Sequence, residues 1–165
     1  MDNFDLSKFS KSSTNYDLNE LNIINQKLLK TLSFAVIENR LKDLDIKGVD
    51  EFIWQNLQSN LDVLSDIKEW LEICQKPFRF NHKKEDQEFL AIAKDCLPKQ
   101  INLQDSWQNW LNSIKQKSGR KGKELFMPIR LALTGKDHGP EIKNLLMLID
   151  RKEVLIRLGD VAHAN

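Results

Sequence analysis

Three groups of residues in this chain have the types and spacing for chemistry. The first is Lys8-Phe9-Ser10-Lys11-Ser12, two lysines set among serines. A lysine ammonium on such a segment can stabilise charge that develops on nucleotide phosphates. That chemistry needs a nucleotide-binding parallel sheet and a glycine-rich phosphate loop, and the chain shows neither. The second is the run Lys115-Gln116-Lys117-Ser118-Gly119-Arg120-Lys121-Gly122-Lys123, which contains no acid. Clustered cations beside glycines can follow a phosphate backbone and release its counterions. An ordinary solvated turn has the same composition, so the residues alone leave both readings open. The third is the set of titratable residues. His82, His138 and His163 show no metal-ligand spacing. Asp66 with Glu69, and Glu85 with Glu88, fall on one helical face each, a pattern that marks a solvated surface. No catalytic residue and no metal ligand is assigned.

The elements that must position these residues are helical. Six glycines and four prolines punctuate 165 residues, and strand-like alternation is almost absent. Asp17-Leu18-Asn19-Glu20 has capping-box form and predicts a helix to about Leu32, with Leu21, Ile24 and Leu28 on one face. Further helices are predicted over 34–44 and 49–58. The stripe Val63, Leu64, Ile67, Trp70, Leu71 and Cys74 predicts another. Lys76-Pro77-Phe78-Arg79 breaks the pattern and marks a subdomain boundary. A helix from Lys83 buries Phe89, Leu90, Ala93 and Leu97 before Pro98 stops it. Trp107, Trp110, Leu111 and Ile114 form a core stripe. After the basic run, a helix over 124–133 ends with Gly135 as its C-cap. Pro140 is placed at the first position of the next helix, where a missing N–H costs nothing. Asp150-Arg151-Lys152-Glu153 is a second capping-box form that opens the terminal helix.

Composition sets the frame. Hydrophobic residues make up 41% and charged residues 30%, ordinary for a soluble globular protein, and the net charge is +1. No run of about 18 apolar residues appears, so no membrane span is expected. MDNFDLSKFS lacks the apolar centre of a secretory signal, and a cytoplasmic location is expected. Cys74 and Cys96 are read as buried free thiols.

The final third carries a specific resemblance. Gly122-Lys123-Glu124-Leu125-Phe126-Met127-Pro128-Ile129-Arg130-Leu131-Ala132-Leu133-Thr134-Gly135, then His138-Gly139-Pro140-Glu141 and Arg151-Lys152-Glu153-Val154-Leu155-Ile156-Arg157-Leu158, resembles the end of bacterial glutamyl-tRNA synthetases. The segment Phe4-Asp5-Leu6 through Ser12, with Tyr16-Asp17 and Leu21 to Leu28, is similar to the stretch that follows their catalytic signature. KFSKS is one letter from the Lys-Met-Ser-Lys-Ser loop of class I synthetases. It aligns with this later stretch, not with that loop, and the partner His-Ile-Gly-His signature is absent.

The resemblance implies an all-α, two-lobed helical anticodon-binding domain of class I synthetases. Residues 1–22 would form the end of the stem-contact region, 23–76 the first lobe and 77–165 the second. It implies tRNA as the partner, a glutamate acceptor or also a glutamine acceptor, and no membrane. ATP and Mg would serve the parent glutamate–tRNA ligase, with none in this chain, which would be inactive alone and monomeric. Arg130 would reach the anticodon, because a planar guanidinium pairs with or stacks on a base. Gly139, Pro140 and Ile142 would touch anticodon bases, and many relatives carry Thr where Gly139 stands. Gln58 falls where glutamate-specific relatives carry an arginine facing the first anticodon base. Lys117, Arg120, Lys121 and Lys123 would hold anticodon-stem phosphates. A helical protein-interaction scaffold derived from this family, and a stand-alone enzyme using KFSKS, are the competing readings.

Overall fold

A computed structural model describes residues 17–101 and 104–159, and Lys8–Ser12 and His163 lie outside them. Among the described residues there are nine α-helices and no strand. In chain order they are α1 Leu18–Leu29, α2 Phe34–Asp43, α3 Glu51–Leu57, α4 Ile67–Gln75, α5 Lys84–Asp95, α6 Gln104–Ser118, α7 Gly122–Thr134, α8 Ile142–Leu148 and α9 Arg151–Arg157. The all-α expectation holds. No helix among the described residues is long and apolar enough to cross a membrane.

Local chemistry explains most boundaries. Asp17 accepts from the Asn19 amide at 2.8 Å and starts α1. Asp50 accepts from the Ile53 amide at 2.8 Å and starts α3. α3 stops at Leu57 and tightens into a single 3-10 turn, Gln58–Asn60. Gly135 ends α7 at φ +69°, and its amide donates to the Leu131 carbonyl at 2.8 Å. A β-carbon there would also lie 2.7 Å from the Phe78 ring, so the site excludes side chains twice over.

Four expectations need correction. α1 ends at Leu29, not Leu32, because Thr31 turns back to bond the Leu28 carbonyl. Pro140 is not the first residue of α8; that helix begins at Ile142 behind Glu141, and the Pro140 carbonyl is held by Arg130 instead. Asp150 does cap α9 through the Lys152 amide at 2.8 Å, but Glu153 does not complete a capping box. Its carboxylate turns away to the 76–79 strap. Cys96 is also only partly buried, whereas Cys74 is buried and free. Burial pushes the Cys74 thiol up to about 11 despite the opposing charge of Arg157.

The core runs through both halves of the chain as one apolar cluster, from Ile37 and Trp54 to Leu133 and Val154. Its two fully buried tryptophans each find a partner. Trp54 donates to the Leu32 carbonyl and Trp110 to the Ala93 carbonyl, both at 2.8 Å. α8 packs on α3 and α4, so a helix from the second half of the chain is built into the first half.

The strap 76–79 is pinned by α9. The Arg157 side chain is 0% exposed. Its guanidinium donates to Glu153 at 2.9 Å, to the Leu133 carbonyl at 2.6 Å and to the Lys76 carbonyl at 2.8 Å. The same Glu153 oxygen accepts from the Phe78 amide and from Arg79, each at 2.9 Å. Burial works to raise the Glu153 pKa. The Phe78 amide and the Arg157 and Arg79 charges outweigh it and hold the carboxyl below its ordinary 4.5. A carboxyl depressed in the folded state contributes its stability in full above the ordinary pKa. That contribution is lost as pH falls through the folded value. Glu153→Gln should therefore cost about 3–5 kcal/mol at neutral pH, the penalty for stranding a buried guanidinium. Urea denaturation measures it, and the gap between parent and variant should close as pH drops below 4.5.

Candidate nucleic-acid interface

The sequence-predicted site residues gather around α7 and the loop that follows it. Arg130 is half-buried on α7, and its Nη1 donates to the Pro140 carbonyl at 2.9 Å. Burial lowers its pKa, opposed by the Asp137 charge, yet guanidinium remains protonated at any working pH. Thr134 fixes the start of the loop, since its hydroxyl donates to the Arg130 carbonyl at 2.8 Å and accepts from the Lys136 amide at 3.1 Å.

The loop is then tied to the first lobe. Asn60 Nδ2 donates to the Gly139 carbonyl at 3.2 Å, and Lys136 pairs with Glu69 at 2.7 Å. Gly139 has φ +114°, and a β-carbon there would fall 2.1 Å from the Trp70 ring. The expectation of relatives with Thr at this position meets a physical obstacle here. This chain fills that space with indole, so a side chain at 139 has nowhere to go. Asn144 adds a further tie, donating to the Asn56 carbonyl at 3.0 Å.

Gln58 opens the 3-10 turn whose last residue, Asn60, holds Gly139. Among the described residues its Oε1 is the buried side-chain oxygen with no hydrogen-bond partner. A buried acceptor without a donor is costly. Between the lobes beside this turn lies an open cleft of about 460 Å³, lined by Lys30, Asn60, Asp66, Glu69, Trp70 and His138 among others. Its carboxylates are engaged. Asp62 accepts from Gln26 at 2.7 Å, and Asp66 accepts from the Asp62 and Val63 amides at 3.0 and 2.9 Å.

Two predicted contact residues are packed inward. Ile142 is 4% exposed and sits in the core, and Pro140 is buried. Their side chains are structural.

The basic run is not a loop throughout. α6 continues to Ser118 and α7 begins at Gly122, so Lys115 and Lys117 are helical and the turn is short. Lys117, Lys121 and Lys123 are exposed. Arg120 differs: it pairs with Asp86, donates to the Glu85 carbonyl at 2.6 Å, and lies 4.5 Å over the Phe89 ring. It also reaches the Glu124 carbonyl at 3.5 Å. That carbonyl lost its helical partner because Pro128, four residues on, has no N–H. Arg120 thus clamps α5 to the α6–α7 corner, and its charge is spent within the protein. The lysine corner and the loop are linked electrostatically. The exposed Asp137 carboxyl lies below its usual range, chiefly through its bond with His138 and its own backbone amide, with a smaller pull from Lys123.

Sequence reasoning passed over Trp70 and Asn60 as determinants of this site. Trp70 lies on an apolar stripe and reads as core, which it is; its contact with Gly139 is legible only in three dimensions.

With this geometry in hand, comparison with known proteins is informative. Residues 18–162 match the family model described as "Anticodon binding domain". The Glutamate--tRNA ligase 1 of Rickettsia prowazekii is 45% identical over 159 residues, which covers 96% of this chain and 35% of that protein. The corresponding protein of Rickettsia felis is 44% identical over 155 residues, again 35% of its length. The chain spans about a third of the length of these relatives. The crystal structure of a glutamate-tRNA synthetase from Elizabethkingia anophelis superposes with a TM-score of 0.67 at 17% identity, covering 94% of this chain and 33% of that one. At that identity the likeness speaks to fold.

Replacing Arg120 with Ala should lower stability by about 2 kcal/mol, the scale of charged hydrogen bonds left unmade. Thermal or urea unfolding checks this. The amides of the first turn of α5 should exchange faster in the variant.

Proposed function

Because the chain belongs to the anticodon-binding-domain family, we propose that it recognises the anticodon of a glutamate-accepting tRNA, as the anticodon-reading part of a glutamate–tRNA ligase. One observation carries the reading. A match over residues 18–162 coincides with a half-buried arginine, Arg130, bound to a loop that the first lobe also holds. Bases splayed out of an RNA loop are read by stacking and by bonds to their exposed edges. A guanidinium held at one nitrogen and open at the others suits that task.

In this reading residues 23–76 and 77–165 are the two lobes, and 1–22 leads in from the stem-contact region. Arg130 and the backbone at Gly139 meet anticodon bases. Lys117, Lys121 and Lys123 hold phosphates, which positions the RNA without specifying it. Gln58 faces the first anticodon base. With its oxygen buried, its amide presents fewer donors than an arginine would. Glutamine at 58 therefore admits more than one base and extends recognition to a glutamine-accepting tRNA.

Attachment of glutamate to tRNA with ATP and Mg belongs, in this proposal, to the whole ligase acting in the cytoplasm. Among the described residues no three His, Cys, Asp or Glu side chains come close enough to hold a metal ion. The chain by itself acts as a monomeric RNA-binding unit without adenylation activity.

Three measurements test the proposal. Arg130→Ala should weaken binding to the cognate tRNA by about 1–3 kcal/mol in a titration, while each of Lys117→Ala, Lys121→Ala and Lys123→Ala should reduce the salt slope by about 1 without changing base preference. Equal binding of all tRNAs by parent and Arg130→Ala would remove that residue's role. Gln58→Arg should sharpen the choice between tRNAs that differ only in the first anticodon base. Capture of a protein partner with no affinity for tRNA would favour the interaction-scaffold reading instead.

A further inference from the structure

We propose that Trp70 is the positioning residue for the Gly139–Pro140 loop, so that the second lobe reads its base only while its loop is seated on a first-lobe tryptophan. This rests on the anticodon-reading assignment above.

Four contacts hold the loop. Arg130 reaches the Pro140 carbonyl from α7 at 2.9 Å. The other three come from the first lobe: Asn60 on the Gly139 carbonyl at 3.2 Å, Glu69 on Lys136 at 2.7 Å, and the Trp70 ring against Gly139. The tryptophan contact is the least compliant. A β-carbon at 139 would lie 2.1 Å from Cη2 and 2.3 Å from Cζ2, so the indole edge rests on the glycine backbone itself. Trp70 is 4% exposed, and a rigid bicyclic ring locked in the core cannot swing aside as a long flexible chain would. Gly139 in turn sits at φ +114°, which side chains other than hydrogen rarely permit. Indole at 70 and glycine at 139 are therefore a matched pair, and each makes the other necessary.

The functional consequence follows from what glycine leaves exposed. With no side chain at 139 and Pro140 buried, this pair of residues can meet a base only through its backbone, and a backbone contact depends wholly on placement. A contact of this kind is lost when its support shifts by a fraction of an ångström. The exposed lysines at the α6–α7 corner are independent of this support. Loss of the Trp70 seat should thus erase base discrimination while sparing phosphate attraction, a split that simple loss of stability does not produce.

The experiment uses the 165-residue chain and anticodon stem–loop RNAs that differ at one anticodon base at a time, titrated over a range of salt. The probe variants are Trp70→Phe, which lacks the ring that reaches Gly139, Gly139→Ala, and the two combined. Thermal unfolding shows that each is folded at the assay temperature. The parent should prefer its cognate base about ten- to hundredfold. Each single variant should bring that preference near onefold at the base read by the loop, with the salt slope unchanged. The combined variant should be no worse than either single one, because both break one contact. Amide exchange over 136–141 should accelerate in Trp70→Phe. Retained discrimination in both single variants overturns the proposal and leaves the anticodon assignment standing. Uniform weakening toward every RNA also overturns it, since that marks a merely structural residue. A parent chain that shows no base preference overturns the anticodon assignment and this proposal with it.

Discussion

The buried guanidinium of Arg157 is the constraint on which the rest of the architecture depends. A charge withdrawn from water must be fully partnered or it destabilises the fold. Here its partners come from three distant places: Glu153 on its own helix, the Leu133 carbonyl near the end of α7, and the Lys76 carbonyl in the strap between lobes. Satisfying one side chain therefore fixes the ends of two helices and the crossing between the halves of the chain. It also holds Phe78 beneath it, with the ring 5.5 Å from the guanidinium. Phe78 in turn closes over Gly135. The place where α7 must stop is set by this stack, and so is the origin of the loop that carries Gly139.

α7 is held by arginine at both ends. Arg157 takes a carbonyl near its C-terminus, and Arg120 reaches the carbonyl that Pro128 leaves unpaired near its N-terminus. Between them Arg130 faces the loop. Of these three arginines, two spend their charge within the protein, and the third bonds the Pro140 carbonyl of the loop. Sequence pattern treats them alike. Burial and partner geometry separate them, which is why Arg120 reads in the sequence as part of a phosphate-binding run and in the fold as a clamp.

The helices were legible because their signals are local. Asp17 and Asp50 cap, Gly135 terminates, and apolar spacing marks the buried faces of α4 and α6. The motif residues around Arg130 were legible through family resemblance. What escaped was non-local. Nothing about Glu153 distinguishes a capping carboxylate from one that turns toward a strap 75 residues away. Nothing in the stripe of α4 reveals that Trp70 also floors a loop from the other lobe. Pro140 fits the first helical position by type, but Arg130 claims its carbonyl and the helix starts later. In each case a tertiary partner outbid a local preference.

Charge is laid out unevenly over the surface, and the proposed RNA contact depends on that. The chain is nearly neutral at +1, so attraction must come from local excess. Lys117, Lys121 and Lys123 supply it at the α6–α7 corner, where Arg120 and Asp86 cancel each other. The interlobe cleft has the opposite character, with Asp62, Asp66 and Glu69 on its walls. Those acids are already bonded within the protein, Asp62 to Gln26, Asp66 to the Asp62 and Val63 amides and Glu69 to Lys136, and the Gln58 oxygen in the adjoining turn is buried. Under the proposed function, an RNA strand drawn in by the lysines lies with its backbone toward that corner. The acids that lower the net charge act inside the fold, holding α1 and the turn before α4 in place.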